Sequence, residues 1–112
     1  MRNTQPRKIE AYRMQNGQVL FTEWFDSIRH KRAQTRIEAR LILLEQGNFG
    51  DYRSVGNGVF ELRIHVGAGY RVYFGEVDNT IVLLLCGGDK SSQRRDIARA
   101  KTYWCEYKET QR

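Results

Sequence analysis

From Gly58 to Val66 the chain alternates apolar and polar residues with a period of two. Phe60, Leu62, Ile64 and Val66 fall on one face of a predicted strand, and Glu61, Arg63 and His65 fall on the other. After a short Gly67-Ala68-Gly69 turn, Tyr70-Arg71-Val72-Tyr73-Phe74 alternates again, with Arg71 and Tyr73 on one face. Pairing these strands places a carboxylate, two guanidiniums, an imidazole and a phenol on one sheet surface. Folding alone requires no such chemistry there, so this surface is the candidate functional site.

The rest of the chain supplies a scaffold. Lys8 to Tyr12 alternates weakly and predicts a first strand; Gln15-Asn16-Gly17 is a turn. From Gln18 to about Arg29, Leu20, Phe21, Trp24, Phe25 and Ile28 recur at helical spacing. A second helix is predicted from about Arg32 to Gln46, with Ala33, Ile37, Leu41 and Leu44 inward and Arg32, Arg36 and Arg40 outward. Gly47 suits its left-handed cap. The two alternating strands follow, then a turn at Val77-Asp78-Asn79-Thr80. Ile81 to Cys86 is apolar throughout, as in a central strand covered on both faces. The segment Gly87-Gly88-Asp89-Lys90-Ser91-Ser92-Gln93 is read as breaking that strand and starting a last helix, capped by Asp89, Ser91 or Ser92. Ile97, Ala100, Trp104 and Tyr107 form its inner face; Arg94, Arg95, Arg99 and Lys101 stay largely outside. The order strand, helix, helix, three strands, helix makes the class α+β. A single domain is expected, with an ordered core of about residues 8–108 and frayed ends at 1–7 and 109–112.

Composition narrows the partners. The chain has 112 residues, of which 19 are Lys or Arg and 13 are Asp or Glu, giving a net charge of +6. Such a surplus favours a polyanionic partner, nucleic acid or an acidic protein, over a surface charged only for solvation. A chain of this size buries roughly two-thirds of its unfolded surface and needs no metal or disulfide to fold. Cys86 and Cys105 lack CxxC or Cys/His spacing, so neither marks a metal site, and reduced thiols fit a cytosolic protein. No apolar run reaches the roughly 18 residues of a membrane span. The basic N-terminus has no apolar segment behind it, unlike a secretory signal.

If the polyanion is RNA, metal-free cleavage needs a base for the 2′-hydroxyl, cations for the crowded phosphate and an acid for the leaving oxygen. Arg63 and Arg71 suit the phosphate, because a guanidinium forks onto its oxygens. Lys90 sits at a strand-to-helix junction whose backbone amides also favour an anion. Glu61 or His65 is the candidate base. Tyr73 is a candidate proton donor, or a platform on which a base stacks. Plainer roles compete: Glu61 and Arg63 can pair across strands, Tyr73 can cover core, and His65 and His30 can be solvated. The Arg32, Arg36 and Arg40 stripe is either a solvated face or an RNA-docking face, and Arg94 and Arg95 extend the second possibility. Ser91 and Ser92 read as helix-start residues, not nucleophiles. Gly67-Ala68-Gly69 is too short for a nucleotide-binding loop. Neither a metal site nor a cofactor is expected.

Three blocks of sequence carry a family resemblance: Gly58 to Arg63, Gly69 to Phe74, and Leu84 to Gln93. Together they resemble the RelE/ParE superfamily of toxin–antitoxin toxins, in its addiction module killer, or HigB-like, branch, over about Lys8 to Tyr107. The resemblance implies a RelE-like β-α-α-β-β-β-α fold, an antiparallel-rich sheet packed against two N-terminal helices and a C-terminal helix. It implies a type II toxin of the bacterial cytoplasm, without cofactor or membrane, held inactive by a cognate antitoxin of helix-turn-helix type. In the RelE and HigB branches the toxin enters the ribosomal A site and cuts messenger RNA, so the partners are ribosome and message. Arg71 matches the arginine of the family's Gly-Tyr-Arg motif, Arg63 a basic position on the preceding strand, and Lys90 the basic residue after the last strand. Glu61 stands where some relatives carry lysine. Where relatives carry a catalytic Tyr or His, early in the last helix, this chain has Arg95, Asp96 and Ile97, which leaves that role to Tyr73 or His65. The leading expectation is a metal-independent, ribosome-dependent endoribonuclease that inhibits translation. The alternatives are a ParE-like inhibitor of DNA gyrase, which has no nuclease site, and a non-catalytic RNA-binding module.

Overall fold

A computed structural model describes residues 5–111, so the fraying expected at residues 1–4 and 112 lies outside the described residues. In chain order the elements are β1 (Lys8–Ala11), α1 (Leu20–Ser27), α2 (Lys31–Glu45), β2 (Tyr52–Gly56), β3 (Val59–Ile64), β4 (Tyr70–Val77), β5 (Ile81–Asp89), a one-turn 3₁₀ helix (Lys90–Ser92) and α3 (Gln93–Thr110). The class is α+β. The strands form one mixed sheet in the order β1-β5-β4-β3-β2, with β1 parallel to β5 and every other pair antiparallel.

Strand alternation divides the core between the two faces of this sheet. Leu62 and Ile64 of β3, Val72 and Phe74 of β4 and Val82 and Leu84 of β5 pack with Phe21 of α1 and Ile37 and Leu44 of α2. The opposite residues, Val59, Tyr73, Leu83, Leu85 and Cys86, pack under Ala100 and Trp104 of α3. The register shifts opposite Tyr73 and Phe74, where Leu85 is an extra residue, a bulge that puts the consecutive Leu85 and Cys86 together on the α3 face. The polar face of β3 and β4 is therefore only partly open, because α3 covers one end of it.

Three expectations change. First, β2 was not predicted, because its only apolar residue besides the half-exposed Tyr52 is Val55 and no alternation marks it. It is an edge strand, and a short, exposed, polar edge resists pairing with other chains. Second, the two glycines at 87 and 88 extend β5 to Asp89 instead of breaking it. A Cβ at Gly87 would collide with the Trp24 ring, and one at Gly88 with the Asp96 carboxylate. Glycine is required there by close approach of helices on both faces of the sheet. Third, Arg7 and residues 109–110 are held in place where fraying was expected. Arg7 is buried, donates to Glu76 at 2.6 Å and lies over the Phe49 ring, and α3 remains helical to Thr110. Among the described residues, no helix is long and apolar enough to cross a membrane.

Candidate functional site

The predicted polar surface splits into a sealed part and an open part. In the sealed part, the Glu61 side chain is 0% exposed beneath the start of α3. Its carboxylate accepts from Arg53 Nε at 2.9 Å, from Gln93 Nε2 at 2.9 Å and from Tyr73 Oη at 3.0 Å. Arg71 Nε stands 3.6 Å away, beyond hydrogen-bond length but close enough to attract the carboxylate. Burial pushes the Glu61 pKa up, but the bonds from Arg53, Gln93 and Tyr73 outweigh it and hold the carboxyl below its ordinary value. Burial, and then the Glu61 charge, push the Tyr73 phenol far above its ordinary value. The structure therefore places Glu61 and Tyr73, candidate base and acid, inside the protein and out of contact with solvent. Gln93, the residue that closes this hub, was read only as part of a helix start; its role depends on a contact 32 positions away.

The open part is built around Asp51, which carried no sequence signal. Arg63 Nη2 donates to Asp51 Oδ1 at 2.9 Å, and His65 Nε2 contacts Oδ2 at 2.5 Å. The bonds from His65, and then Arg63, hold the Asp51 carboxyl below its ordinary value. The Asp51 backbone is equally engaged: its carbonyl accepts from Arg63 N at 3.0 Å and from Arg40 Nη2 at 3.2 Å. Arg40 also donates to the carbonyls of Arg63 at 2.6 Å and Phe49 at 3.1 Å. Arg40 was expected among the RNA-binding residues. Its guanidinium is instead the clamp that fastens α2 to the loop before β2.

Beyond the covered end of the sheet, His65, Arg71 and Lys90 line one open recess of about 460 Å³, floored by Val66 and the Gly67-Ala68-Gly69 turn. Arg71 is aimed by a bond from Nη1 to the Gly69 carbonyl at 3.0 Å and by the Glu61 carboxylate behind it. Lys90 is exposed at the first position of the 3₁₀ turn. The expected anion site on the amides of that turn is taken by the protein itself. Asp89 Oδ1 accepts from Ser91 N at 2.9 Å and Ser91 Oγ at 2.6 Å. Lys90 thus offers its ammonium alone. Arg63 is a neighbour of the recess, with half its fork committed to Asp51.

Arg32, Arg36, Arg94 and Arg95 are exposed as expected. Ser92 Oγ donates to Asp96 at 2.5 Å, and Asp96 is buried, so both residues serve the junction between β5 and α3. His30 caps α2, its Nδ1 accepting from Ala33 N at 3.2 Å. Burial pushes the Cys86 thiol up to about 12, which makes it inert. Among the described residues, no group of three His, Cys, Asp or Glu is placed to hold a metal ion.

No family model matches the chain. A protein of Haemophilus influenzae, described only as uncharacterized, is 51% identical to it over 83 residues, which cover 74% of this chain and 84% of that protein.

Proposed function

We propose that this chain, which belongs to the same family as the Haemophilus influenzae protein, is the toxin of a type II toxin–antitoxin system and cuts messenger RNA on the ribosome. The observation that carries this reading is the recess in which an imidazole and two cations meet, with the Glu61 carboxylate sealed behind Arg71. The +6 charge of the chain and the exposed arginines of α2 and α3 support an RNA partner. Two helices on one face of a mostly antiparallel sheet and a third on the other support the RelE-like reading of the fold.

In this reading Arg71 and Lys90 hold the scissile phosphate and stabilise the charge that grows on it. His65 takes the 2′-hydroxyl proton, the 2′ oxygen attacks phosphorus, and the bond from phosphorus to the 5′ oxygen breaks. The 5′ oxygen leaves with a proton from solvent in the open recess. The products are a 2′,3′-cyclic phosphate and a 5′-hydroxyl. Neither a metal nor a cofactor takes part. Arg32, Arg36, Arg94 and Arg95 neutralise phosphates of ribosomal RNA, and a helix-turn-helix antitoxin holds the toxin inactive in the bacterial cytoplasm.

The test is induction in bacteria followed by mapping of message ends, with purified protein on programmed ribosomes as the control. Discrete cuts within translated regions are expected, with 5′-hydroxyl ends. Intact messages with inhibited DNA supercoiling would replace this reading with gyrase inhibition. Intact messages with RNA retained would replace it with a binding module.

A further inference from the structure

We propose that Asp51 is the positioning residue of this site, holding the His65 imidazole in the tautomer that acts as base. The proposal rests on the nuclease reading above and adds a residue to it. An exposed ion pair by itself stabilises little and often wanders. This one is constrained from several sides. Both Asp51 carboxylate oxygens are occupied, Oδ1 by Arg63 at 2.9 Å and Oδ2 by His65 Nε2 at 2.5 Å. The Asp51 carbonyl is bound by Arg63 N and by the Arg40 clamp from α2. The backbone that carries the carboxylate is therefore fixed, and the carboxylate swings away only by giving up both Arg63 Nη2 and His65 Nε2.

The chemistry follows from the acceptor. An ionised carboxylate only accepts hydrogen bonds, so a neutral His65 must carry its proton on Nε2. Nδ1 is then the free lone pair, the atom able to take a proton from a 2′-hydroxyl. Once Nδ1 is protonated, the same carboxylate faces an imidazolium and stabilises it. Arg63 has a second function here: its bond to Oδ1 leaves Oδ2 for His65 alone.

The experiment compares wild type, Asp51→Asn and Asp51→Ala in single-turnover cleavage of message on programmed ribosomes, alongside ¹⁵N spectra of the histidine side chains. Asp51→Asn is expected to lower the cleavage rate constant by at least about tenfold while the half-saturating ribosome concentration stays within about twofold. In the spectra, neutral His65 is expected as the Nε2–H tautomer in wild type and as a tautomer mixture in Asp51→Ala. An Asp51→Asn enzyme with the wild-type rate would overturn the proposal. So would a wild-type spectrum with the same mixture as Asp51→Ala, a result that stands even if the asparagine variant fails to fold. Wild-type protein that leaves messages intact sinks the nuclease reading instead, and the spectra still decide whether Asp51 orients His65.

Discussion

The Tyr73 hydroxyl donates to Glu61 Oε2 at 3.0 Å, a bond that joins the two residues within the core. Both side chains are sealed beneath α3, and Glu61 is the acceptor on which donors from β2, β4 and α3 converge. Removing this buried carboxylate leaves the Tyr73 hydroxyl without its acceptor inside the protein and takes the partner from Arg53 and Gln93. Glu61→Ala is expected to lower the free energy of unfolding by about 3 kcal/mol. Urea denaturation measures this, and a loss near zero would show that the hub contributes no stability.

Tyr73→Phe removes one donor from Glu61 and keeps the ring that packs under α3. A loss of about 1 kcal/mol is expected. Because the phenol lies outside the recess, the cleavage rate on ribosomes should stay within about twofold of wild type. A large fall in rate with stability retained would return Tyr73 to the site.

Acid should destabilise the fold. Glu61 and Asp51 both have pKa values held below their ordinary values in the folded protein. The unfolded chain therefore binds protons more readily. Their contribution to stability is complete above the unfolded carboxylate values, roughly pH 4 to 5, and is lost as pH falls through the folded ones. The urea midpoint is expected to be lower at about pH 3 than at about pH 6, and the difference to shrink in Glu61→Gln. A midpoint that rises on acidification would reverse the assigned directions.

Arg71 and Lys90 separate charge from geometry. Lys90 is exposed, so Lys90→Ala should change stability by less than about 0.5 kcal/mol while lowering the cleavage rate at least about tenfold. Arg71→Lys keeps the charge but loses the fork aimed by Gly69 and Glu61, and should lose at least as much. A folded Arg71→Ala variant that remained fully toxic in cells would remove Arg71 from the site.

The arginines of α2 divide in the same way. Arg40→Ala should destabilise the protein by about 2 kcal/mol, because three backbone carbonyls each lose one donor. Arg32→Ala and Arg36→Ala should leave stability unchanged and weaken ribosome binding, each reducing its salt dependence by about one phosphate contact. Equal effects of all three on stability would contradict the clamp.

Much of the scaffold was legible because it follows from local periodicity. The period-two runs of β3 and β4, the helical spacing of Leu20 to Ile28 and of Ala33 to Leu44, and the apolar β5 each mark the face that must be buried. The alternation also predicted that Arg63, His65 and Arg71 come to one side of the sheet, given the register in which Arg63 pairs with Arg71. It did not reveal β2, an edge strand with little to bury, or the continuation of β5 through Gly87 and Gly88, whose need for glycine comes from Trp24 and Asp96 packing above them.

Tertiary structure decided which of the polar residues meet solvent. Glu61 and His65 lie on one strand face and look equivalent in sequence, yet α3 covers the first and stops short of the second. Arg40 continues the stripe of Arg32 and Arg36, yet only it lies close enough to the loop before β2 to bind three carbonyls. Asp51 acquires its place beside His65 through a contact spanning 14 positions. Burial and hydrogen bonding depend on what packs above a residue, and no local pattern records that.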